Sequence, residues 1–297
     1  MRAKKSVKQI AEKWQISERQ VRDFCENGRI KGAEIINGSW QIPETAEKPV
    51  RKNRAAPPSL LEILRRENDH RIRGGICHKV QIELTYNSNH IEGSTLTHDQ
   101  TRYIFETNTI LPEGKFKGVK TDDIIETANH FRCIDYVIEN TNRHLTENLI
   151  KNLHFMLKNG TSDSLENWFN VGDYKKLPNE VGGLPTTPPD KVEAEMKRLL
   201  NWYNNLKRPS LNKLLEFHYR FEKIHPFQDG NGRIGRLILF KECLRLGIVP
   251  FIIDDDLKLF YYRGLNNWPR EKGYLKDTCL TAQDQFKTYL DYFEIPY

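Results

Sequence analysis

Apolar residues recur at helical spacing along most of the chain, which predicts a mainly helical protein. Leu60, Leu61, Ile63 and Leu64 open a charge-studded helix that Gly74-Gly75 ends, and Ile76, Val80, Ile82 and Leu84 begin the next. Further helices are predicted over 100–107 and 122–139, the latter with Ile124, Ile125, Ala128, Phe131, Ile134, Val137 and Ile138 on one face. Met196, Leu199, Leu200 and Tyr203 do the same within 192–206. Leu211, Leu214, Leu215, Phe217, Phe221 and Ile224 make a helix that Pro226 stops, because its ring biases the preceding residue away from helical geometry. Ile234, Leu237, Ile238, Phe240, Leu244 and Leu246 restore the period up to Gly247, and 249–253 is a short run expected to be buried.

Two regions depart from this pattern. In residues 1–45, Ser6 precedes a short apolar face of Val7, Ile10 and Ala11, and Trp14, Gln15 and Ile16 read as a turn. Ser17 with Gln20 forms a capping box ahead of Val21 and Phe24, and Asn27-Gly28 ends that second helix. Two short apolar runs then flank Asn37-Gly38, the pair most suited to a hairpin turn. The second region is 168–190, where Gly and Pro argue against helix. It reads as two extended pieces, 170–175 and 179–189, joined near 175–178. Between the N-terminal elements and the helices, Pro49, Pro57 and Pro58 bracket the basic run 51–54, a linker composition. The predicted divisions are 1–45, a linker at 46–58, leading helices at 59–150 and a core at 151–297.

Composition adds three constraints. A chain of 297 residues with 38% hydrophobic content has room for one large domain and one small one. Residues 1–56 hold thirteen Lys and Arg against seven Asp and Glu, so the net charge of +6 resides there and points to a polyanionic partner. Five scattered cysteines show no C-x-x-C pair, which suits a reducing cytoplasm and suggests no zinc site. No signal-peptide pattern and no membrane-length apolar run is present, so a cytoplasmic protein is expected. His130, His144 and His154 are expected to be hydrogen-bonded core residues.

The chemistry concentrates in residues 225–236, HPFQDGNGRIGR. Gly230, Asn231 and Gly232 fall at the start of a helix, where free backbone N–H groups and the helix dipole favour an anion. Gly235 follows within the same turn. Arg233 and Arg236 are three residues apart, so both guanidinium groups are expected to reach one anion. Asp229 suits Mg2+, which takes one or two carboxylates plus phosphates. His225 is the one member able to exchange a proton near neutral pH. The plain alternative is a glycine-rich loop around a structural anion.

This stretch has the form H-x-F-x-D-G-N-G-R-x-x-R and resembles the signature of the Fic family of nucleotidyltransferases. The resemblance implies an all-α Fic-domain fold with a β-hairpin flap, and ATP with Mg2+ as the reacting pair. Residues 88–93 fit the family's inhibitory pattern [S/T]-x-x-x-E-[G/N], with Ser88, Glu92 and Gly93 at the specified places. It implies that Glu92 pairs with Arg236 and blocks seating of the γ-phosphate. Gly172, Tyr174, Gly183 and Leu184 would belong to a flap that aligns an extended target segment by strand addition. Lys175 stands where the family usually has Arg. Tyr262 matches a tyrosine that packs on the base, and Pro269 falls near a position often held by Asn.

Residues 1–45 are similar to the winged helix-turn-helix of MerR and excisionase-type proteins. That likeness implies DNA contacts from Arg19, Gln20, Arg22 and Lys31; the alternative is a small cap that docks on protein. The combined reading is transfer of AMP from ATP to a Ser, Thr or Tyr hydroxyl of a target protein, with His225 as base. It leaves open another nucleotide, AMP removal, a DNA-binding nucleotide sensor, and a homodimer.

Overall fold

Reciprocal side-chain caps start four helices of the computed structural model, which describes residues 3–36, 38–49, 57–110 and 118–297. Ser6, Ser17, Ser59 and Thr97 pair with Gln9, Gln20, Glu62 and Gln100, satisfying N–H groups that a helix start leaves open. Asn37 and the basic run 51–54 lie outside the described residues. The chain divides into two compact units, Met1–Ala56 and Pro57–Tyr297.

The first unit runs β1 (Lys4–Ser6), α1 (Val7–Trp14), α2 (Glu18–Glu26), β2 (Glu34–Ile36) and β3 (Ser39–Pro43). β3 is the middle strand, antiparallel to both others, with Lys5 opposite Ile42 and Ile35 opposite Trp40. Ile10, Val21 and Ile42 are fully buried at its centre. β1 is absent from the sequence-based expectation, because Lys4 and Lys5 give it no apolar alternation.

The second unit is helical. In order it has α3 (Leu60–Asp69), α4 (Ile76–Ile91), α5 (His98–Thr107), α6 (Thr121–Glu139) and α7 (Glu147–Lys158). A two-stranded hairpin, β4 (Glu180–Val181) and β5 (Leu184–Pro185), precedes α8 (Pro189–Asn204), α9 (Leu211–Ile224), α10 (Asn231–Leu246), α11 (Asp255–Asn267) and α12 (Gly273–Tyr292). Among the described residues, no helix is long and apolar enough to cross a membrane.

α10 is the axis of this unit. It is buried on every face, and α4, α6, α7 and α9 pack around it. Its buried ionic residues are therefore matched. Lys241 Nζ donates to the carbonyls of Thr141 and Arg143 and to Glu242, whose other oxygen accepts from Tyr203 and Arg245. A buried pair with every site bonded avoids the desolvation cost of a lone charge.

Two expectations change here. Residues 170–175 form no strand. Gly172 has φ +78° and donates its N–H to His154 Nδ1, and Asp173 accepts the N–H of Tyr174, so the segment turns instead of extending. The hairpin lies wholly within the second piece, around Gly182-Gly183, both with positive φ as its two-residue turn requires. His144 is exposed in the α6–α7 connection and is not a core residue. His130 and His154 are buried, bonded to Thr85 Oγ1 and to the Gly172 N–H.

Candidate active site

α9 ends at His225, whose backbone turns left-handed (φ 49°, ψ 63°) while its N–H still donates to Phe221. Pro226 makes that exit, and Phe227 then plunges into the core, its ring stacked on His154 at 4.0 Å. Asn231 closes the loop from the far side. Its Oδ1 accepts the Phe227 N–H and its Nδ2 donates to the Phe227 carbonyl, both at 2.8 Å. The Asn231 side chain is thus a loop brace, and its backbone is left for an anion. Gly230 caps α10 at φ 82°, and a Cβ there would sit 3.3 Å from Leu157 Cδ2.

The two arginines do not converge. Arg233 donates to Glu126 and, at 3.0 Å, to Asp229 Oδ2. Lys158, 2% exposed, bonds the same Asp229 oxygen at 2.7 Å and also Glu126 and Asp163. Burial pushes the Asp229 carboxyl upward, but Arg233 and Lys158 outweigh it and hold the group well below the usual carboxylate range. Arg236 turns the other way. Its Nε donates to Ser88 Oγ at 3.0 Å, and its Nη2 donates to the Ser88 carbonyl at 2.9 Å and to Glu92 Oε1 at 2.7 Å. Without an anion, the two arginines belong to separate ion clusters, because each fork finds a carboxylate or carbonyl of its own.

Glu92 is the C-cap of α4, and Gly93 turns the chain away at φ 94°. A Cβ on Gly232 would collide with Glu92 Oε1. The carboxylate therefore stands over the first turn of α10, where the free N–H groups point. Gly235, one turn on, leaves room for Glu222 Oε1 and His218.

His225 Nδ1 lies 3.9 Å from Glu222 Oε2 and has no hydrogen-bond partner among the described residues. Burial, then the charge of Lys175, pushes the His225 pKa down to about 4. Burial pushes the Glu222 carboxyl up to about 8 against the pull of Arg236. Beyond Glu222 a cleft opens between the hairpin and α11, lined by Leu184, Thr186, Tyr262, Leu265 and Asn266. Tyr262 donates weakly to the Ile91 carbonyl at 3.5 Å, touching the last turn of α4. Leu184 is exposed in β5 beside Gly183. Gly172 and Tyr174 are not part of the hairpin. Tyr174 is buried, donating to Glu147 and covered by Lys151.

In the first unit, Arg19 and Lys31 are exposed. Arg22 is exposed but pairs with Glu18 at 2.9 Å. The Gln20 side chain accepts from the Ser17 N–H, so the cap engages the group expected to face DNA.

Sequence reasoning missed Glu126, Lys158, Glu222 and Asn266. The first two read as solvent-face charges of amphipathic helices. Asn266 stands one helical turn after Tyr262, a spacing that could have flagged it, whereas Pro269 lies past the end of α11.

Residues 144–242, from just before α7 to α10, match the model of the Fic/DOC family. The protein adenylyltransferase Fic of Drosophila grimshawi is 31% identical over 192 residues, covering 61% of this chain and 36% of that protein. The protein of the same name from Nematostella vectensis is 30% identical over 185 residues, 61% of this chain and 42% of that protein. The chain thus spans well under half the length of these curated relatives. A Fic domain containing signaling protein from Bacteroides thetaiotaomicron superposes with a TM-score of 0.58 at 29% identity, covering 79% of this chain and 85% of that one. Fic-1 of Caenorhabditis elegans shares the fold, with a TM-score of 0.59 at 22% identity over 78% and 69% of the two chains.

Proposed function

We propose that this protein transfers AMP from ATP to a hydroxyl side chain of a target protein and rests in a state that Glu92 holds inactive. One observation carries the reading: a histidine stands beside a glycine-started helix N-terminus that a carboxylate already covers. The names of the curated relatives support the same chemistry.

The step follows from the chain's own groups. Nδ1 of His225 faces Glu222, which leaves Nε2 to take the proton of the incoming hydroxyl. The freed oxygen attacks the α-phosphorus and pyrophosphate leaves. The backbone of Gly230, Asn231 and Gly232 and the dipole of α10 receive the phosphates, and Arg233 lies behind them. Arg236 joins once Glu92 withdraws. Tyr262, Leu265 and Asn266 offer a half-apolar wall for a base.

Asp229 is the residue that would hold Mg2+. Its half-exposed carboxylate has Oδ2 shared by Lys158 and Arg233, and among the described residues no cluster of three ligating side chains exists. A single carboxylate fits an ion that draws its remaining ligands from phosphates and water. When bound, Mg2+ supplies positive charge against the phosphate oxygens.

The exposed Arg19 and Lys31, with the basic excess of residues 1–56, favour a DNA-binding role for the first unit.

The test uses α-labelled and γ-labelled ATP with lysate proteins, followed by mass spectrometry of labelled bands. Label from the α position alone is expected. His225→Ala should abolish it while ATP affinity stays within about threefold, because the anion turn is separate from the base. Undiminished labelling in that variant would remove the mechanism.

A further inference from the structure

Lys175 is 3% exposed, yet among the described residues no carboxylate bonds it. Its ammonium donates to Asn179 Oδ1 and Thr186 Oγ1, both at 2.6 Å, and more loosely to the Ile224 carbonyl at 3.4 Å. Its backbone N–H donates to the Pro226 carbonyl at 2.9 Å. Asn179 precedes β4 and Thr186 follows β5, so these are the two feet of the hairpin. Ile224 and Pro226 are the two neighbours of His225. Asn179 adds a strut of its own, donating from Nδ2 to the Phe227 carbonyl at 2.9 Å.

We propose that Lys175 is a positioning residue that locks both feet of the hairpin to the loop bearing His225, and so fixes the base against a segment lying along the hairpin.

The chemistry of the position supports this. Three acceptors from three segments converge on one point, and an ammonium offers three donors and no acceptor. A buried ammonium bonded only to neutral oxygens is costly to keep, and burial pushes its pKa down to about 8. A side chain that merely filled space there would be apolar. The charge also acts on the base: of the charged groups that face His225, Lys175 disfavours its protonation, whereas Glu92 and Asp229 favour it, as does the backbone of Glu222. Lys175 thus holds His225 in place and adds to the burial that disfavours its protonation.

The inference rests on the transfer reading, and its test separates the two. In the full chain carrying Glu92→Gly, Lys175→Met, Lys175→Arg and Asn179→Ala are compared. Ring-carbon NMR follows the His225 titration, assigned with His225→Ala, and hydrogen exchange follows the amides of 180–186. Lys175→Met should raise the His225 pKa by about one unit, as loss of a nearby like charge does. Lys175→Arg, which keeps the charge, should leave it in place. Hairpin exchange should quicken about tenfold in Lys175→Met and in Asn179→Ala, the scale of one lost hydrogen bond. With α-labelled ATP, kcat for self-labelling should fall at least about tenfold in Lys175→Met while the KM for ATP holds, as for a group that positions the base and leaves ATP binding alone. An unmoved His225 pKa with unchanged hairpin exchange overturns the proposal. If Lys175→Met does not fold, Asn179→Ala decides alone: it retains the charge, so exchange must quicken with the His225 pKa unmoved. If the Glu92→Gly parent transfers no AMP, the transfer reading falls, and the NMR and exchange results still judge the clamp.

Discussion

Glu92 Oε1 lies 2.7 Å from Arg236 Nη2 and over the first turn of α10, so one carboxylate covers both the arginine and the helix N-terminus. It puts a negative charge where a phosphate would go and occupies the fork that would greet it. Hydrogen bonds between charged groups are stronger than neutral ones, and this one is shielded by the burial of Arg236. Glu92→Gly removes charge and reach together, and the position lies at the end of α4, outside the helix interior where glycine costs most. Self-labelling with α-labelled ATP should rise at least about tenfold, corresponding to about 1.4 kcal/mol off the barrier. Ser88→Ala, which deletes only the bond to Arg236 Nε, should give a much smaller rise. An equal rate in Glu92→Gly and the unaltered protein, both folded, would show that the pair does not gate the site.

The first unit should bind duplex DNA through Arg19, Lys31 and neighbouring lysines. Each neutralised phosphate releases counterions, so affinity should fall steeply with salt, by about tenfold or more between 50 and 200 mM if three or more phosphates are contacted. Arg19→Ala with Lys31→Ala should flatten that slope. Gln20→Ala should lower the stability of α2 instead, because its side chain completes the Ser17 cap. Absence of binding at low salt would leave the unit as a protein-docking module.

The helices around the site were legible because punctuation marks them. Pro226 ends α9, Gly230 opens α10 and Gly247 closes it, each with a local physical reason. The meeting of Ser88 and Glu92 on one face followed from helical spacing. What stayed hidden depends on partners far along the chain. Lys158 looks like the solvated end of an amphipathic helix, and only the fold brings Asp229, 71 residues on, to its ammonium. The turn at Gly172 is set by packing against Phe155 and His154, which no local pattern reveals. The separate clusters of Arg233 and Arg236 were hidden for the same reason: spacing on one helix says where side chains start, and distant carboxylates decide where they end.

Gly264 on α11 should not tolerate a methyl group. A Cβ there would lie 2.6 Å from Leu275 Cα and 2.7 Å from Leu275 N, at the start of α12. Backbone cannot yield as a side-chain tip can, so α11 and α12 would have to part. Alanine is the better helix former by about 1 kcal/mol, but overpacking of this kind costs about 1–3 kcal/mol. Gly264→Ala should therefore lower the urea midpoint despite its helical position. A raised midpoint would mean that the helices can separate at little cost.

Stability should fall as pH drops from 7 to 5, and buried histidines should be the cause. Burial pushes His130, His154 and His218 down to about 3, and His225 to about 4, from an ordinary value of 6.5. Neutral rings also serve the bonds observed: His154 Nδ1 accepts from Gly172, and His218 Nε2 pairs with Tyr261 Oη at 2.5 Å. A folded pKa below the unfolded one means that the unfolded chain takes up protons first. Each histidine therefore withdraws stability as pH falls below 6.5, until its folded pKa is reached. Glu222 runs the other way. With a folded value of about 8 against 4.5, it contributes in full below 4.5 and loses that contribution as pH rises to 8. At about 1.4 kcal/mol per pH unit, going from pH 7 to 5 costs roughly 2 kcal/mol per histidine and returns roughly 3 from Glu222, so the four histidines win by roughly 5 kcal/mol at most. Asp229, held low, loses its contribution only below about pH 4. Urea unfolding at pH 7, 6 and 5 measures the slope, and Glu222→Gln should steepen it, since the opposing group is gone. A midpoint that stays level or climbs on acidification would show that these rings are protonated in the folded chain.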